Sequence, residues 1–535
     1  MLEKLRASIA RLISPPLEVA PRAARPLTGR MYASAKASRL TAGWQTNNSS
    51  ADSELVSSLT SLRSRSRALV RDASYAKRAK VVVQNNVIGS GIGMQAQVMT
   101  SRDALNDRIN DAIEEAFKRW SLADSCHTGG AMHFADLERA AMGQVFAAGE
   151  VFFRKHYSAF GGSDVPYALE LIEAERLADE FAAPGPTRSG ALLRMGIEVD
   201  NYYRPVAYWI RDRHPGEVQL NINQVDKLTR VPADQIIHLR VVDRWPQTRG
   251  EPWMHAAVRK LNDMDGYSEA EIVAARSAAS YMGFIQTPDG NNPLAQPEAD
   301  GTNTTELTPG VIETLAPGET FNSFSPNRPN PNMDPFMRMM LREVAAGVGV
   351  SYESLSRDYS QSNYSSSRLA LLDDRDLWRV LQGWFIRSFR DIVHKEWLQQ
   401  AVLAGAIAEI NVAEYASNKS KFEAVVYKPR GWTWIDPTKE VEAYKQAVRC
   451  GFTTVSDVIA QTNGGTDLED VLNGRRRELD MMEEKDLVFD TDPAVNLKAD
   501  APAPAQKAAP PPEDDQQDAN KNPPPKRVFS LKGNS

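Results

Sequence analysis

Residues 334–397 place the strongest constraint on the fold, because three contrasting segments follow one another there without a break. A short Met-rich segment comes first, a run dominated by Ser, Tyr and Asn comes second, and a long segment rich in aromatic side chains comes third. This order predicts two helices joined by a polar loop, with the remainder of the chain built around them.

The Met-rich segment predicts a helix over residues 333–350. Asp334 can cap it, Pro335 suits its first position, and Gly347 and Gly349 mark its end. Apolar side chains recur four residues apart on one face. We expect them to form the core contacts of this helix: Phe336, Met340, Val344 and Val348.

Residues 351–367 read SYESLSRDYSQSNYSSS, which is nearly neutral and nearly free of aliphatic side chains. Such a segment cannot bury a core, so we expect a loop that faces water or a polar partner. From Arg368 the helical pattern resumes and continues to Val402, a length of roughly 50 Å if the helix is unbroken. Its aromatic side chains have the spacing of core residues: Trp378, Trp384, Phe385 and Trp397.

The length of 535 residues corresponds to about three to four domains. The formal charge of −6 argues against a protein that coats DNA by neutralising phosphates. Residues 1–50 nevertheless form a basic arm, in which eight cations precede residue 40: Lys4, Arg6, Arg11, Arg22, Arg25, Arg30, Lys36 and Arg39. A solvated tail and a contact with nucleic acid or an acidic partner both remain open for this arm.

The two cysteines, Cys126 and Cys450, are far apart and belong to no CxxC pair, which indicates a reducing compartment. No apolar run approaches the roughly 18 residues of a membrane helix, and the N-terminus lacks a secretory pattern. We therefore expect a cytosolic protein that contacts no membrane.

Residues 51–250 predict a mixed α+β region with mainly antiparallel pairing. A basic helix over residues 63–80 is expected to run into a strand at residues 81–83, and the glycines at residues 89–93 favour a bend or a hairpin. Two helices are expected next, at residues 104–122 and 134–148. Strands are expected at residues 151–157, 167–172, 196–200, 205–211 and 235–242.

The second half of the chain predicts a helix at residues 252–281, a β insertion at residues 283–332 and a strand at residues 425–428. Residues 437–487 predict a small helical domain, with capping starts at Thr454 and Thr466. The Ala- and Pro-rich tail after residue 488 has too few apolar side chains to fold, so we expect disorder there.

No combination of residues in the sequence assembles an active site. Walker A, His-Glu-x-x-His and Gly-x-Ser-x-Gly patterns are absent, and we expect no metal and no cofactor. The residues most similar to a metal site are Cys126, His127 and His133. The residues most similar to a catalytic nucleophile and base are Ser74 and Lys77. A nuclease-like DNA-processing enzyme that uses the basic residues 63–80 remains the alternative function.

Residues 334–368 resemble the signature block of lambda-type tailed-phage portal proteins, and the resemblance covers most of the chain outside the two tails. Segments that share it are residues 62–95, 171–177, 196–210, 235–240 and 432–440. The resemblance implies a ring, usually of twelve subunits, at one vertex of the capsid in the virion. The terminase large subunit would dock on this ring during assembly in the host cytoplasm, and double-stranded DNA would pass through its bore. Major capsid, scaffold, head-completion and tail connector proteins would be the other partners, and the ring would have no enzymatic activity.

The resemblance also implies a domain plan. It assigns an arm (1–50), a wing (51–250), two stem helices (251–282 and 333–350), a clip (283–332), a channel loop (351–367), a long helix returning to the wing (368–430), a crown (431–488) and a disordered tail (489–535). The loop residues expected to line the DNA channel are Arg357, Asp358, Tyr359, Ser360, Gln361, Ser362, Asn363, Tyr364 and Ser365. Neutral polar side chains there would make only weak, exchangeable contacts with DNA.

Overall fold

The computed structural model of the chain describes residues 39, 43, 46 and 48–487, apart from residues 102–103, 181–189, 218–226, 281–282, 287–295, 298–302, 305–319, 324–329, 433–436 and 463–467. Most of the predicted arm, most of the predicted clip and the predicted disordered tail therefore lie outside the described residues. The chain forms two compact units, which divide between Glu440 and Val441.

The helices fall mainly before residue 150 and after residue 257. They are α1 (Ala51–Asp72), α2 (Ser74–Val87), α3 (Asp107–Trp120), α4 (Ala123–Cys126), α5 (Phe134–Ala148), α6 (Val258–Ser280), α7 (Met333–Val348), α8 (Tyr352–Ser356), α9 (Tyr364–Phe385), α10 (Asp391–Leu403), α11 (Val412–Ser417), α12 (Lys419–Phe422), α13 (Pro437–Arg449), α14 (Val455–Thr462) and α15 (Leu468–Glu484). A π-helical segment, Ile386–Arg390, joins α9 to α10.

The strands are short. They are β1 (Gly93–Ala96), β2 (Met99–Ser101), β3 (Ala104–Leu105), β4 (Glu150–His156), β5 (Ala168–Ile172), β6 (Leu192–Arg194), β7 (Ile197–Val199), β8 (Pro205–Arg211), β9 (Leu228–Pro232), β10 (Ile236–Arg240), β11 (Gly283–Gln286), β12 (Gln296–Pro297), β13 (Asn303–Thr304), β14 (Thr320–Ser323) and β15 (Val425–Lys428).

Two antiparallel sheets dominate the first unit, in the strand orders β10-β4-β5 and β6-β7-β8-β9. The predicted hairpin near Asp200 is confirmed, because Ile197 pairs with Tyr208 across β7 and β8. The Asp200 carboxylate accepts hydrogen bonds from the backbone N–H groups of Tyr202 and Arg204, which fixes the turn. Sheets and helices together confirm the predicted α+β class.

The predicted strand at residues 81–83 is wrong, because these residues belong to α2. Ala76, Ala79 and Val83 lie on one buried face of this helix and are 0% exposed. The β propensity of three consecutive valines therefore yields to burial at helical spacing. The helix predicted at residues 104–122 begins later than expected, because Ala104 and Leu105 form β3. Helix α3 begins at Asp107 and is capped by Asn106.

The predicted bend at residues 89–93 is present, but the flanking residues do not form a hairpin. Gly89 and Gly91 have φ values of +66° and +121°, which side chains disfavour. The bend leads into β1, whose partner is β15, with Gly93 opposite Lys428. This pairing joins segments from opposite ends of the first unit.

The main core surrounds the π-helical segment. Phe385, Phe389 and Trp397 are fully buried, and the Trp397 ring meets Phe117 edge to face at a centroid distance of 4.8 Å. The five-residue turns of the π segment change the direction in which Arg390 points relative to a regular helix. Arg390 thereby reaches the buried Glu138 carboxylate at 3.0 Å and lies over Phe117.

The insertion between α6 and α7 contains two small antiparallel pairs. Gly283 of β11 lies opposite Ser323 of β14, and Gln296 of β12 lies opposite Thr304 of β13. In the second unit, α14 packs on α15. The capping start predicted at Thr454 is confirmed by reciprocal hydrogen bonds with Asp457, whereas Thr466 lies outside the described residues. None of the described helices is both long and apolar enough to cross a membrane.

Candidate functional site

Helix α7 begins two residues earlier than the capping pattern suggested. Met333 is its first residue, and Asn332 occupies the cap position without a side-chain hydrogen bond. Asp334 does not cap the helix; its carboxylate instead accepts a hydrogen bond from Arg338 at 3.0 Å. Gly349 ends the helix as expected, with φ +77° and its N–H donated to the Ala345 carbonyl.

Three of the four apolar residues predicted on α7 lie in the core of this single chain. Met340, Val344 and Val348 are at most 9% exposed. Phe336 is the exception, since it is 40% exposed and meets Tyr267 of α6 edge to face at 5.2 Å. Phe336 lies near the end of α7 that faces the insertion, where the described part of the chain offers less apolar surface to cover it.

Residues 351–367 form a shorter loop than predicted. Helix α8 occupies the first third of the segment because Leu355 is buried, 1% exposed, and anchors it. Helix α9 starts at Tyr364 instead of Arg368, since Asn363 and Ser366 form a reciprocal capping box. The segment without helix is therefore residues 357–363, which we call the exposed loop.

Asp374 of α9 fixes the approach to the exposed loop. Its carboxylate accepts hydrogen bonds from the Ser351 N–H at 2.8 Å, the Ser351 hydroxyl at 2.7 Å and the Ser354 hydroxyl at 3.0 Å. Burial raises the pKa of Asp374, and these hydrogen bonds offset only part of that rise. Arg78 of α2 donates to the Ser354 carbonyl at 3.1 Å, so α8 is held from two sides.

Asp358 turns back toward α7 and α8. Its carboxylate accepts hydrogen bonds from the Ser360 hydroxyl at 2.6 Å, the Ser360 N–H at 3.0 Å and the Tyr352 hydroxyl at 2.9 Å, and Arg338 lies at 3.5 Å. The Ser360 bonds, followed by those from Tyr352 and Arg338, lower the pKa of Asp358 to about 2. Arg357 has a φ of 59°, which lets the chain reverse at this point.

The remaining predicted channel residues face outward. Arg357, Tyr359, Ser360, Gln361, Asn363 and Ser365 are exposed, and Ser362 is half-buried. The Tyr364 side chain lies outside the described part of the chain. The formal charges of the loop, one on Arg357 and one on Asp358, cancel. The structure therefore presents a polar, hydrogen-bonding surface between two helices, in which Asp358 is paired with Arg338 and Arg357 is exposed.

The basic residues 63–80 are partly paired within the chain, whereas Arg65 and Lys77 are exposed. Arg63 is 1% exposed, and Arg67 contacts Glu175 at 2.5 Å. Arg71 pairs with the neighbouring Asp72 at 2.8 Å. Part of the positive charge that supported a DNA-processing alternative is thus compensated by carboxylates of the same chain.

A buried charge cluster that the sequence did not indicate lies where α1, β4 and β10 meet. Glu150 is completely buried and accepts hydrogen bonds from Arg63 at 3.0 Å, Arg249 at 2.8 Å, His238 at 2.9 Å and the Gly250 N–H at 2.9 Å. Burial raises the pKa of Glu150, but Arg249, His238 and Arg63 outweigh it, so this pKa lies below its usual range. The residues of this cluster are too far apart in the sequence for their spacing to reveal the cluster.

The contacts of His238 define its protonation. Arg240 can only donate, and its guanidinium lies 2.8 Å from His238 Nδ1, so Nδ1 must accept and the hydrogen must reside on Nε2. Burial, followed by the charge of Arg240, lowers the pKa of His238 to about 3. The imidazole is therefore neutral and donates to Glu150. The cluster ties the sheet β10-β4-β5 to the segment that leads into α6.

The candidate catalytic and metal-binding residues have structural contacts instead. Cys126 is buried and its thiol lies 3.6 Å from two carbonyl oxygens; burial raises its pKa to about 12. Ser74 and Lys77 are exposed on α2. A carboxylate and imidazole group not foreseen from the sequence consists of Glu173, Glu175 and His214, with ligand atoms within 4.8 Å of one another. Arg67 already contacts both glutamates and compensates their charge.

Comparison with known proteins matches this architecture to one family. The sequence model described as "Phage portal protein, lambda family" matches residues 37–382, which is more than half of the chain. The probable portal protein of Halomonas phage phiHAP-1 is 29% identical over 86% of this chain and 88% of its own length. Portal protein B of Escherichia phage lambda is 21% identical over 81% of this chain and 86% of its own length.

Among solved structures, a chain of the neck of the empty GTA particle covers 75% of this chain and 92% of its own length, with 14% identity and a TM-score of 0.40. A chain of the virion of the native gene transfer agent particle covers 76% of this chain and 93% of its own length, with 13% identity and a TM-score of 0.38.

The match to the family model defines a structural protein of the phage head, and no catalytic constellation is assembled among the described residues. The chain belongs to the lambda family of phage portal proteins. It is a component of the virion at the head-to-tail connection, and DNA packaging is the role typical of its family.

Proposed function

We propose that the chain works as a homo-oligomeric ring of twelve subunits, the number usual in the family, and that the exposed loop of each copy lines the bore. This proposal is based on the structure of the exposed loop, residues 357–363. The loop is held at its α8 end by the buried Leu355 and by Asp374, which accepts from Ser351 and Ser354, and at its α9 end by the Asn363–Ser366 capping box. Its outward side chains are polar, and Arg357 is the one cation in the loop.

The charge balance of the loop suits a surface past which DNA moves. A Lys or Arg that pairs with phosphate adds salt-dependent affinity, whereas hydroxyl and amide groups make weak contacts that exchange easily. Asp358 is directed to Arg338 and Tyr352, so its negative charge is compensated inside the subunit. DNA would therefore meet the neutral side chains of Tyr359, Ser360 and Gln361, with Arg357 as the single cation that each loop supplies.

The proposed partners follow from the family role. The terminase large subunit would dock on the ring while it packages double-stranded DNA, and head-completion and tail connector proteins would replace it afterwards. Major capsid and scaffold proteins would surround the ring as the head assembles in the host cytoplasm. The domain plan of arm, wing, stem, clip, crown and tail belongs to this proposal.

Substitution of the loop tests the proposal. Gln361→Lys adds one cation per subunit, and in a ring of about twelve copies the added phosphate contacts would make DNA retention strongly salt-dependent. We expect packaging in a terminase-driven assay to slow or stall while rings form normally. Gln361→Asn is the matched neutral control, because it keeps the amide. Adding Asn363→Lys should strengthen the effect, although Asn363 also caps α9. Unchanged packaging by the Lys variants would argue against a loop that faces DNA.

We also propose that the chain has no nuclease or ATPase activity of its own. This is supported by the internal pairing of Arg63 and Arg67 and by the structural contacts of Cys126. Nuclease and ATPase assays on the purified protein would separate the proposal from a DNA-processing enzyme, since measurable turnover that follows the protein through purification would contradict it.

A further inference from the structure

A cleft of about 530 Å³ separates the junction of α1 and α2 from α6 and the start of α7. It lies within the size range of about 300–1,000 Å³ that is typical of binding pockets. We call it the Met cleft, because three methionines line it together with one leucine: Met264, Met333, Met337 and Leu261. Neither the exposed loop nor the buried charge cluster contributes to it.

The chemistry of the Met cleft points to a basic and apolar ligand. Met side chains are flexible and polarizable, so a groove lined by them adapts to apolar side chains of varied shape. Asp265 and Asp334 stand at its rim, and its lining includes no Lys or Arg. Asp334 shares its charge with Arg338, whereas Asp265 has no ion-pair partner among the described residues.

The N-terminal arm carries the complementary pattern in its sequence. Leu2, Leu5, Ile9 and Leu12 are spaced three and four residues apart. Three cations, Lys4, Arg6 and Arg11, and one carboxylate, Glu3, lie between them, so the segment is net basic. A segment with this spacing presents one apolar face when it is helical, and such amphipathic segments bind apolar grooves through anchors at these positions. The cations between the anchors would face the carboxylates of the rim.

The length of the arm allows this contact within one subunit. Helix α1 begins at Ala51 and ends at Asp72. Ala73, which directly follows it, lines the Met cleft. The 22 residues of α1 span roughly 33 Å. The 35 residues between residues 13 and 48 can span up to about 115 Å when extended, so residues 2–12 can return along α1 to the cleft.

We propose that residues 2–12 dock in the Met cleft of their own subunit, with the apolar side chains on the methionines and the cations beside Asp265 and Asp334. Docking there would join the start of the chain to both helices that flank the β insertion. The inference does not depend on which surface DNA or the terminase contacts.

Cysteine crosslinking in the full-length chain tests the proposal. The background is Cys450→Ser, because Cys450 is exposed and Cys126 is buried. In this background Leu5→Cys is combined with Met337→Cys and treated with a short bismaleimide, and linked tryptic peptides are identified by mass spectrometry. The control pair combines Leu5→Cys with Met339→Cys, which lies on the same helix, is 56% exposed and does not line the cleft.

Docking holds one pair of thiols at high effective concentration, so we expect the Met337 pair to crosslink about tenfold more than the Met339 pair. The product should migrate as a single chain. Equal crosslinking of the two pairs would overturn the docking, and linkage found only between chains would overturn the assignment to the same subunit.

A charge reversal at the rim provides the second measurement, and it leaves Met337 in place. Asp265→Lys should increase the rate at which trypsin cleaves after Lys4, Arg6 and Arg11, because it repels the arm from the cleft. Asp263→Lys is the control on the same helix, since Asp263 does not line the cleft. Identical cleavage rates in both variants and the parent chain would contradict the proposed charge contact.

Discussion

Replacing Glu150 by Gln tests whether the buried charge cluster stabilises the first unit. Glu150 is 0% exposed and receives four hydrogen bonds, all from groups that donate: Arg63, Arg249, His238 and the Gly250 N–H. The glutamine keeps the shape of the side chain but removes the charge, and it turns an NH₂ group toward donors. Two buried guanidinium groups would then share one carboxylate, that of Asp179, beside their hydrogen bonds to backbone carbonyls.

Removal of one partner from a buried ion pair costs about 3–5 kcal/mol, because the other charge stays buried without compensation. The first unit comprises residues 1–440. At an unfolding entropy of about 2.1 cal/mol/K per residue, each kcal/mol lowers its melting temperature by about 1 °C, so its transition should fall by about 3–5 °C. Thermal unfolding followed by circular dichroism measures this shift.

The matched control is Glu54→Gln, which disrupts an ion pair with Arg244 whose side chains are about half exposed. Solvent already screens that pair, so its melting curve should overlay that of the parent chain. A melting temperature for Glu150→Gln within about 2 °C of the parent would refute the reasoning, since it would mean that water or a rearrangement satisfies both guanidinium groups.

Two further predictions concern the aromatic core. The His394 ring is buried, neither of its nitrogens has a hydrogen-bond partner among the described residues, and burial followed by the charge of Arg390 lowers its pKa to about 4. Below pH 6.5 the unfolded chain binds a proton that the folded chain does not, so stability should fall by about 3 kcal/mol between pH 6.5 and pH 4 through this residue. His394→Phe should remove that part of the pH dependence, which urea midpoints at both pH values would show; an unchanged slope would contradict the assignment. Trp397→Ala should cost about 3–5 kcal/mol in urea denaturation, whereas Leu403→Ala, at a residue that is 56% exposed on the same helix, should cost little.

The sequence correctly predicted elements that are determined by residues close together in the chain. Helical spacing identified the apolar face of α7, the Asp200 turn identified the hairpin of β7 and β8, and Thr454 with Asp457 identified the start of α14. In each case the residues that decide the structure lie within a few positions of one another, so that the pattern alone contains the information.

The errors arose where distant residues decide the structure. Three valines at residues 81–83 favour a strand until the core buries α2 on one face. The polar residues 351–356 favour a loop until Asp374, some twenty positions later, holds the Ser351 and Ser354 hydroxyls. The π segment and the Glu150 cluster likewise depend on partners that only the tertiary fold brings together.

Electron cryomicroscopy of the purified protein shows whether the chain forms a channel. We expect closed rings with a central channel, in which the exposed loop, residues 357–363, forms part of the channel wall. Compact monomers under assembly conditions, or rings in which these residues lie on the outer surface, would contradict it.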